Sequence, residues 1–152
     1  MFLSHSSKIL ALASLLLVCS CGQGNAADKA AGGDKPYTVT LGPQSITAGV
    51  PAVTTLTIHA KDGFKWNDEF PASLDLTLPQ EATATSYQFT KKDGTVQNLG
   101  KAGALTINLT ASKCGPLELK LKGNFSLCTE TSCRIFRAEE LTSTLTVTAA
   151  NP

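Results

Sequence analysis

The sequence has one methionine, one tryptophan, two tyrosines and two histidines in 152 residues. The methionine is the initiator, so a copper site of Met and Cys is poorly supplied. One histidine, His5, falls in the first twenty residues. The other, His59, lies on the polar phase of an alternating run beside Lys61 and reads as solvated, which leaves a His/Cys zinc site equally short of ligands. No metal and no cofactor are expected. Charge is sparse and balanced, 13 Lys+Arg against 12 Asp+Glu. No basic block is present, which argues against nucleic acid as a partner. No apolar run reaches the roughly 20 residues that a spanning helix needs. No Ser/His/Asp set and no phosphate-binding loop can be assembled. Nor does any window after residue 20 show a sustained i, i+3, i+4 apolar stripe, so long helices are not expected.

What is present begins with "SKILALASLLLVCSCGQGNAADKAAGGDKP". Lys8, with His5, forms a short basic head, and Ile9 to Val18 is an apolar run of the length of a secretory h-region. The "VCSC" of Val18 to Cys21 resembles a bacterial lipoprotein signal, whose last cysteine is lipidated and becomes the mature first residue. Ser20 is small enough for the position before the cut, whereas Val18 disfavours lipidation at Cys19. An ordinary secretory signal cut near Ala26 or Ala27 is the alternative. Residues 1–20 are thus read as a signal peptide. Residues 21–35 would be the lipidated Cys21 and a Gly/Ala/charge tether with a reach of roughly 20 Å, and residues 36–152 one domain. The resemblance implies anchoring to a bilayer through Cys21. Residue 22 is Gly, and an outer membrane facing the periplasm is the expected location.

From Tyr37 onward apolar and polar residues alternate. "YTVTLG", "VTTLTIHA", "ASLDLTL", "GALTINLTA", "PLELKLKG" and "LTSTLTVTA" each place Leu, Ile, Val or Tyr on one phase. Period-two runs of this length are half-buried strands. Gly42-Pro43, Asp62-Gly63, Asp93-Gly94 and Gly115-Pro116 are among the turns between them. "RAEEL" has room for one helical turn at most. The expectation is an all-β, antiparallel, immunoglobulin-like β-sandwich of about seven to nine strands. Trp66 reads as an amphipathic anchor at a strand end, with the lining of a binding surface as the alternative.

The remaining chemistry belongs to cysteine. Beyond the signal and Cys21 there are Cys114, Cys128 and Cys133, and an exported compartment is oxidising. If Thr129 to Ser132 form a hairpin loop, Cys128 and Cys133 face each other across neighbouring strands, within disulfide reach. The first of those strands would then bulge near Gly123. If instead Gly123-Asn124 is the turn, Cys114 faces Cys133 and Cys128 is left over. A disulfide closing so short a loop would stabilise by only about 2 kcal/mol. Such a bond is a candidate for exchange as much as for clamping. Arg134 beside Cys133 would favour a thiolate there.

"LPQEATATSYQF", "GALTINLTA", "PLELKLKGNFSLCTETSC" and "ELTSTLTV" follow one another much as in the N-terminal periplasmic domain of the thiol:disulfide interchange protein DsbD and its relatives. "LTIHAKDGFKWNDEFPASLDLTL" resembles that family's strand, Asp-Gly-aromatic turn and following strand. The resemblance covers roughly residues 37–148. It implies an immunoglobulin-like sandwich whose cysteine pair, here Cys128 and Cys133, passes electrons between a membrane redox protein and thioredoxin-like partners. It also implies an aromatic-bearing cap loop, best matched by Tyr87 or Phe89. The family's Pro-Pro after the second cysteine is replaced here by Arg134, Ile135 and Phe136. Two function classes follow. One is thiol–disulfide interchange with separate partner proteins. The other is a non-enzymatic envelope binding or structural module in which the disulfide is fixed.

Overall fold

The computed structural model describes residues 35–150. The signal peptide expected at 1–20, the lipidated Cys21 and the tether up to residue 34 lie outside the described residues.

Eleven strands are present among the described residues, and no helix. One sheet contains β1 (Tyr37–Gly42), β3 (Ala52–Ala60), β9 (Ala102–Ala111) and β6 (Ala82–Ala84) in that order, with β8 (Val96–Asn98) sharing the far edge of β9. The other runs β2 (Ser45–Thr47), β11 (Cys133–Thr148), β10 (Gly115–Cys128), β5 (Ser73–Thr77), β7 (Gln88–Thr90), with β4 (Lys65–Trp66) also on β10. The chain crosses from the first sheet to the second between β1 and β2, at a cis Gly42–Pro43 peptide. This is an immunoglobulin-like β-sandwich.

The core follows from the alternation. Leu56, Ile58, Leu105 and Ile107 point inward from the first sheet, and Leu74, Leu117, Leu119, Phe125, Leu127, Leu145 and Val147 from the second, all at most 2 % exposed. Each lies on the apolar phase of its strand, so the two inner faces bury one continuous layer.

Two expectations need correction. The strand count exceeds seven to nine because β2, β4, β6, β7 and β8 have only two or three residues each, too few to show a period. The sandwich is not wholly antiparallel, since β2 runs parallel to the end of β11. The "RAEEL" stretch, which had room for one helical turn at most, is strand throughout. Arg137 and Ala138 together oppose Asn124 in a β-bulge within β11, and Ala138 takes φ 49°. Asn124 accounts for that bend: its Oδ1 accepts from the Ala138 N–H at 3.0 Å, while its Nδ2 donates to Ser73 Oγ at 3.2 Å.

Candidate functional site: the disulfide hairpin

β10 and β11 form the longest hairpin of the molecule, and its tip is built from short polar residues. Thr129 N–H donates to Ser132 C=O at 2.7 Å and closes the turn. Thr129 Oγ1 accepts from the N–H groups of Thr131 and Ser132 at 3.3 and 3.1 Å, an arrangement that Thr adopts readily in turns. Cys128 then lies opposite Cys133, and the two are bonded, with Sγ–Sγ 2.05 Å and Cα–Cα 3.9 Å. The pairing that would join Cys114 to Cys133 is excluded, because Gly123 and Asn124 lie inside β10 rather than in a turn. The bulge expected in the first strand near Gly123 lies in the second instead: the register shifts between Gly123 and Phe125, but the extra residue is in β11, where Arg137 and Ala138 oppose Asn124. Cys114 sits before the opposite end of β10, half-buried, and takes no part in the disulfide.

Opposed residues in an antiparallel pair alternate between hydrogen-bonded and non-hydrogen-bonded sites. Thr129 and Ser132 exchange a ladder bond, so Cys128 and Cys133 occupy a non-hydrogen-bonded site, where the backbones come closest. On the far side of β10, Asn67 N–H donates to Ser126 C=O at 3.0 Å. The backbone groups of Ser126 and Cys128 therefore turn toward β4, and those of Phe125 and Leu127 toward β11.

The two cysteines differ in exposure. Cys128 is 7 % exposed, whereas Cys133 is exposed. β4 covers Cys128 by pairing Lys65 with it and Trp66 with Leu127, while nothing among the described residues pairs with the outer edge of β11 at Cys133. Ile135 lies two residues on, on the same face of the strand, and is 48 % exposed.

Beneath the disulfide the hairpin is held by aromatics. Phe125 stacks on Phe136 with centroids 4.8 Å apart and on Trp66 at 5.6 Å, and the Tyr37 ring stands edge-on to both phenylalanines. Arg134 lies over the Phe136 ring, 5.2 Å from its centre. Trp66 is thus a buried anchor at a strand end and lines no open surface (4 % exposed). Its ring rests on Gly103 of β9, where any Cβ would collide with the indole carbons.

Tyr37 O–H donates to Glu139 Oε1 at 2.6 Å, and Lys35 forms an ion pair with the same oxygen. Burial, reinforced by the Glu139 carboxylate, pushes the Tyr37 hydroxyl up to about 12. Burial works to raise the Glu139 carboxyl, but hydrogen bonds from Lys35 and Tyr37 outweigh it and hold the group below the usual range. The same bonds, Glu139 first, raise Lys35.

The two aromatics expected at a cap lie elsewhere. Phe89 is a core residue of β7, 3 % exposed, and Tyr87 just before it is 44 % exposed with its hydroxyl accepting from Ala84 N–H at 3.2 Å. β7 pairs with β5, and Phe89 faces Leu74, which in turn faces Gly123, well down β10 from Cys128. The flanks of the disulfide are instead Lys65, Arg134 and Ile135. His59 is exposed, with Nε2 2.9 Å from Thr40 Oγ1. Trp66 as the floor of the hairpin and Glu139 as its lateral tie were not recognised from sequence. Trp66 carried a signal in being the sole indole; Glu139 carried none.

No family model matches the chain, and no curated protein matches it. Among solved structures it is similar to WR4, an MSP family member of C. elegans, at 8 % identity and TM-score 0.38, over 72 % of this chain and 97 % of that one. It is also similar to domains 4 and 5 of the S-layer protein SbsC, at 13 % identity and TM-score 0.35, over 72 % of this chain and half (50 %) of that one. A third is PapD-like domain 7 of human CEP192, at 8 % identity and TM-score 0.33, over 86 % of this chain and 99 % of that one. These likenesses are too slight to bear on function.

Proposed function

We propose that this chain is a lipid-anchored domain of the cell envelope that exchanges its Cys128–Cys133 disulfide with thiols of partner proteins. The observation that carries the reading is the unequal exposure of the two cysteines, with Cys133 exposed and Cys128 buried. A clamp gains nothing from leaving one sulfur open to solvent. An exchange site needs one sulfur that a thiolate can approach and one held inside to act as leaving group and to resolve the intermediate.

The step is a pair of displacements. A partner thiolate attacks Cys133 Sγ, forming a mixed disulfide while the Cys128–Cys133 bond breaks. Cys128 leaves as a thiolate and takes a proton from water. A second thiol of the partner then displaces Cys133, leaving the partner oxidised and the domain as a dithiol. Run in reverse, the dithiol reduces an oxidised partner. The resemblance to the DsbD N-terminal domain supports membrane redox proteins and thioredoxin-like proteins as the partner classes. The "VCSC" box supports Cys21 as the anchor and the periplasmic face of the outer membrane as the location.

The test is the reduction potential of the pair. A value near −200 mV is expected for exchange, whereas one below about −300 mV is that of a fixed structural bond and overturns the proposal. Replacing Cys128 with Ser should trap mixed disulfides through Cys133 in the envelope. The anchor is tested separately: Cys21→Ser should move the full chain from the membrane fraction to the soluble one.

A further inference from the structure

The outer edge of β11 is open where it passes the disulfide. Among the described residues the only strand paired with that edge is β2, at Thr146, Val147 and Thr148. Arg134 and Phe136 face Leu127 and Phe125, whose backbone groups serve this ladder. By alternation Cys133 and Ile135 direct their N–H and C=O groups away from β10, toward the vacant side. The bulge at Arg137 and Ala138 then bends the strand and ends this stretch. What remains is a short edge, Cys133 to Arg137, on which the backbone groups of Cys133 and Ile135 face outward beside an exposed cysteine.

Such a strip is a template for strand addition. Its side chains indicate what it would accept. Ile135 offers an apolar contact on the sulfur's face of the strand. Arg134 and Arg137 give the strip two cations and no acid. A second copy of the same strip would set like charges together, whereas a segment bearing an acid would be attracted.

We infer that the partner enters as an extended segment, carrying a cysteine and an acidic residue, that adds to the Cys133–Arg137 edge as a short extra strand. This rests on the exchange reading above and deepens it. Backbone bonds to Cys133 and Ile135 hold the segment, and its thiolate meets Cys133 Sγ. The incoming sulfur bonds to Cys133, Cys128 departs as a thiolate and is protonated, and the two electrons come from the incoming thiol.

The probe is a synthetic decapeptide of alternating threonine and valine with a central cysteine and a neighbouring glutamate. It is compared with the same peptide N-methylated at alternate amides and with glutathione. The unmethylated peptide is expected to form the mixed disulfide at least tenfold faster than the methylated one on the wild-type protein. Ile135→Pro removes one outward N–H and no ladder bond, and should cut the peptide rate tenfold while leaving the glutathione rate within twofold. Ile135→Thr keeps the N–H and should lose only a few-fold. Equal rates for the two peptides on a pair that glutathione opens readily would overturn strand addition and leave the exchange reading standing. A pair that neither glutathione nor peptide opens would end both. Dimerisation of the chain abolished by Ile135→Pro would assign the edge to a second copy and overturn the inference.

Discussion

Glu139 joins three parts of the molecule through one carboxylate: the start of the described chain at Lys35, the first strand at Tyr37, and the long strand β11 on which it sits. Its titration should be visible in stability. The carboxyl is held below its unfolded value, so its contribution is present above about pH 4.3 and disappears as pH falls through the folded value. Tyr37 and Lys35 act at the other limit. The Tyr37 hydroxyl is raised to about 12, so the unfolded chain loses its proton first, and stability falls as pH rises from about 10 toward 12. Lys35, also raised, loses its share in the same direction. Urea midpoints across pH should fall at both ends; Glu139→Gln should flatten the acid limb and Tyr37→Phe the alkaline one. A second prediction at this scale concerns Gly103. Its backbone is ordinary, so only contact with Trp66 excludes a side chain. Gly103→Ala should cost about 1–3 kcal/mol by overpacking, read from the urea midpoint, and should disturb Trp66 fluorescence.

At the scale of elements, the bulge in β11 shows how one side chain re-aims a strand. Ala138 sits in the left-handed region, which costs a non-glycine residue about 1–2 kcal/mol, and Asn124 offsets this by accepting its N–H. Ala138→Gly should therefore stabilise slightly, by up to about 1 kcal/mol, whereas Glu140→Gly, in extended backbone two residues on, should destabilise by about as much. Thermal denaturation of the two variants provides the comparison. The same stretch marks what could be read from sequence. Strands β1, β3, β5, β9 and most of β10 were legible because their inward residues recur every second position over five residues or more. The front half of β11 was not. There the bulge breaks the phase: Phe136 faces the core, Arg134 on the same parity is exposed, and Arg137 and Ala138 follow out of step. The sequence "CRIFRAEE" thus has no period to find. The cysteine pairing was legible because a hairpin with a short polar loop fixes which residues oppose each other. The cap at Tyr87 or Phe89 came from resemblance alone, and Phe89 in β7, with Tyr87 just before that strand, lies away from the disulfide.

Taken whole, the sandwich places its core and its disulfide in separate layers. The core is a continuous cluster running from Tyr37 to Val147, and neither cysteine belongs to it. Cys128 and Cys133 share the opposite face of the hairpin from Phe125, Leu127 and Phe136, which hold that hairpin to Trp66 and Tyr37 from inside. Opening the bond should therefore leave the fold standing, a condition that an exchange site must meet in its reduced state. The loop that the bond closes has a sequence separation of 5, so the unfolded chain loses little freedom and the bond contributes only about 2 kcal/mol. A domain of this size typically has about 5–15 kcal/mol in total. The double variant Cys128→Ser, Cys133→Ser should accordingly remain folded, with an unchanged far-ultraviolet circular dichroism spectrum and Trp66 emission, and with an urea midpoint lowered by the equivalent of about 2 kcal/mol. Loss of cooperative unfolding in that variant would mean that the disulfide holds the hairpin in place, and the separation of core from chemistry would fail.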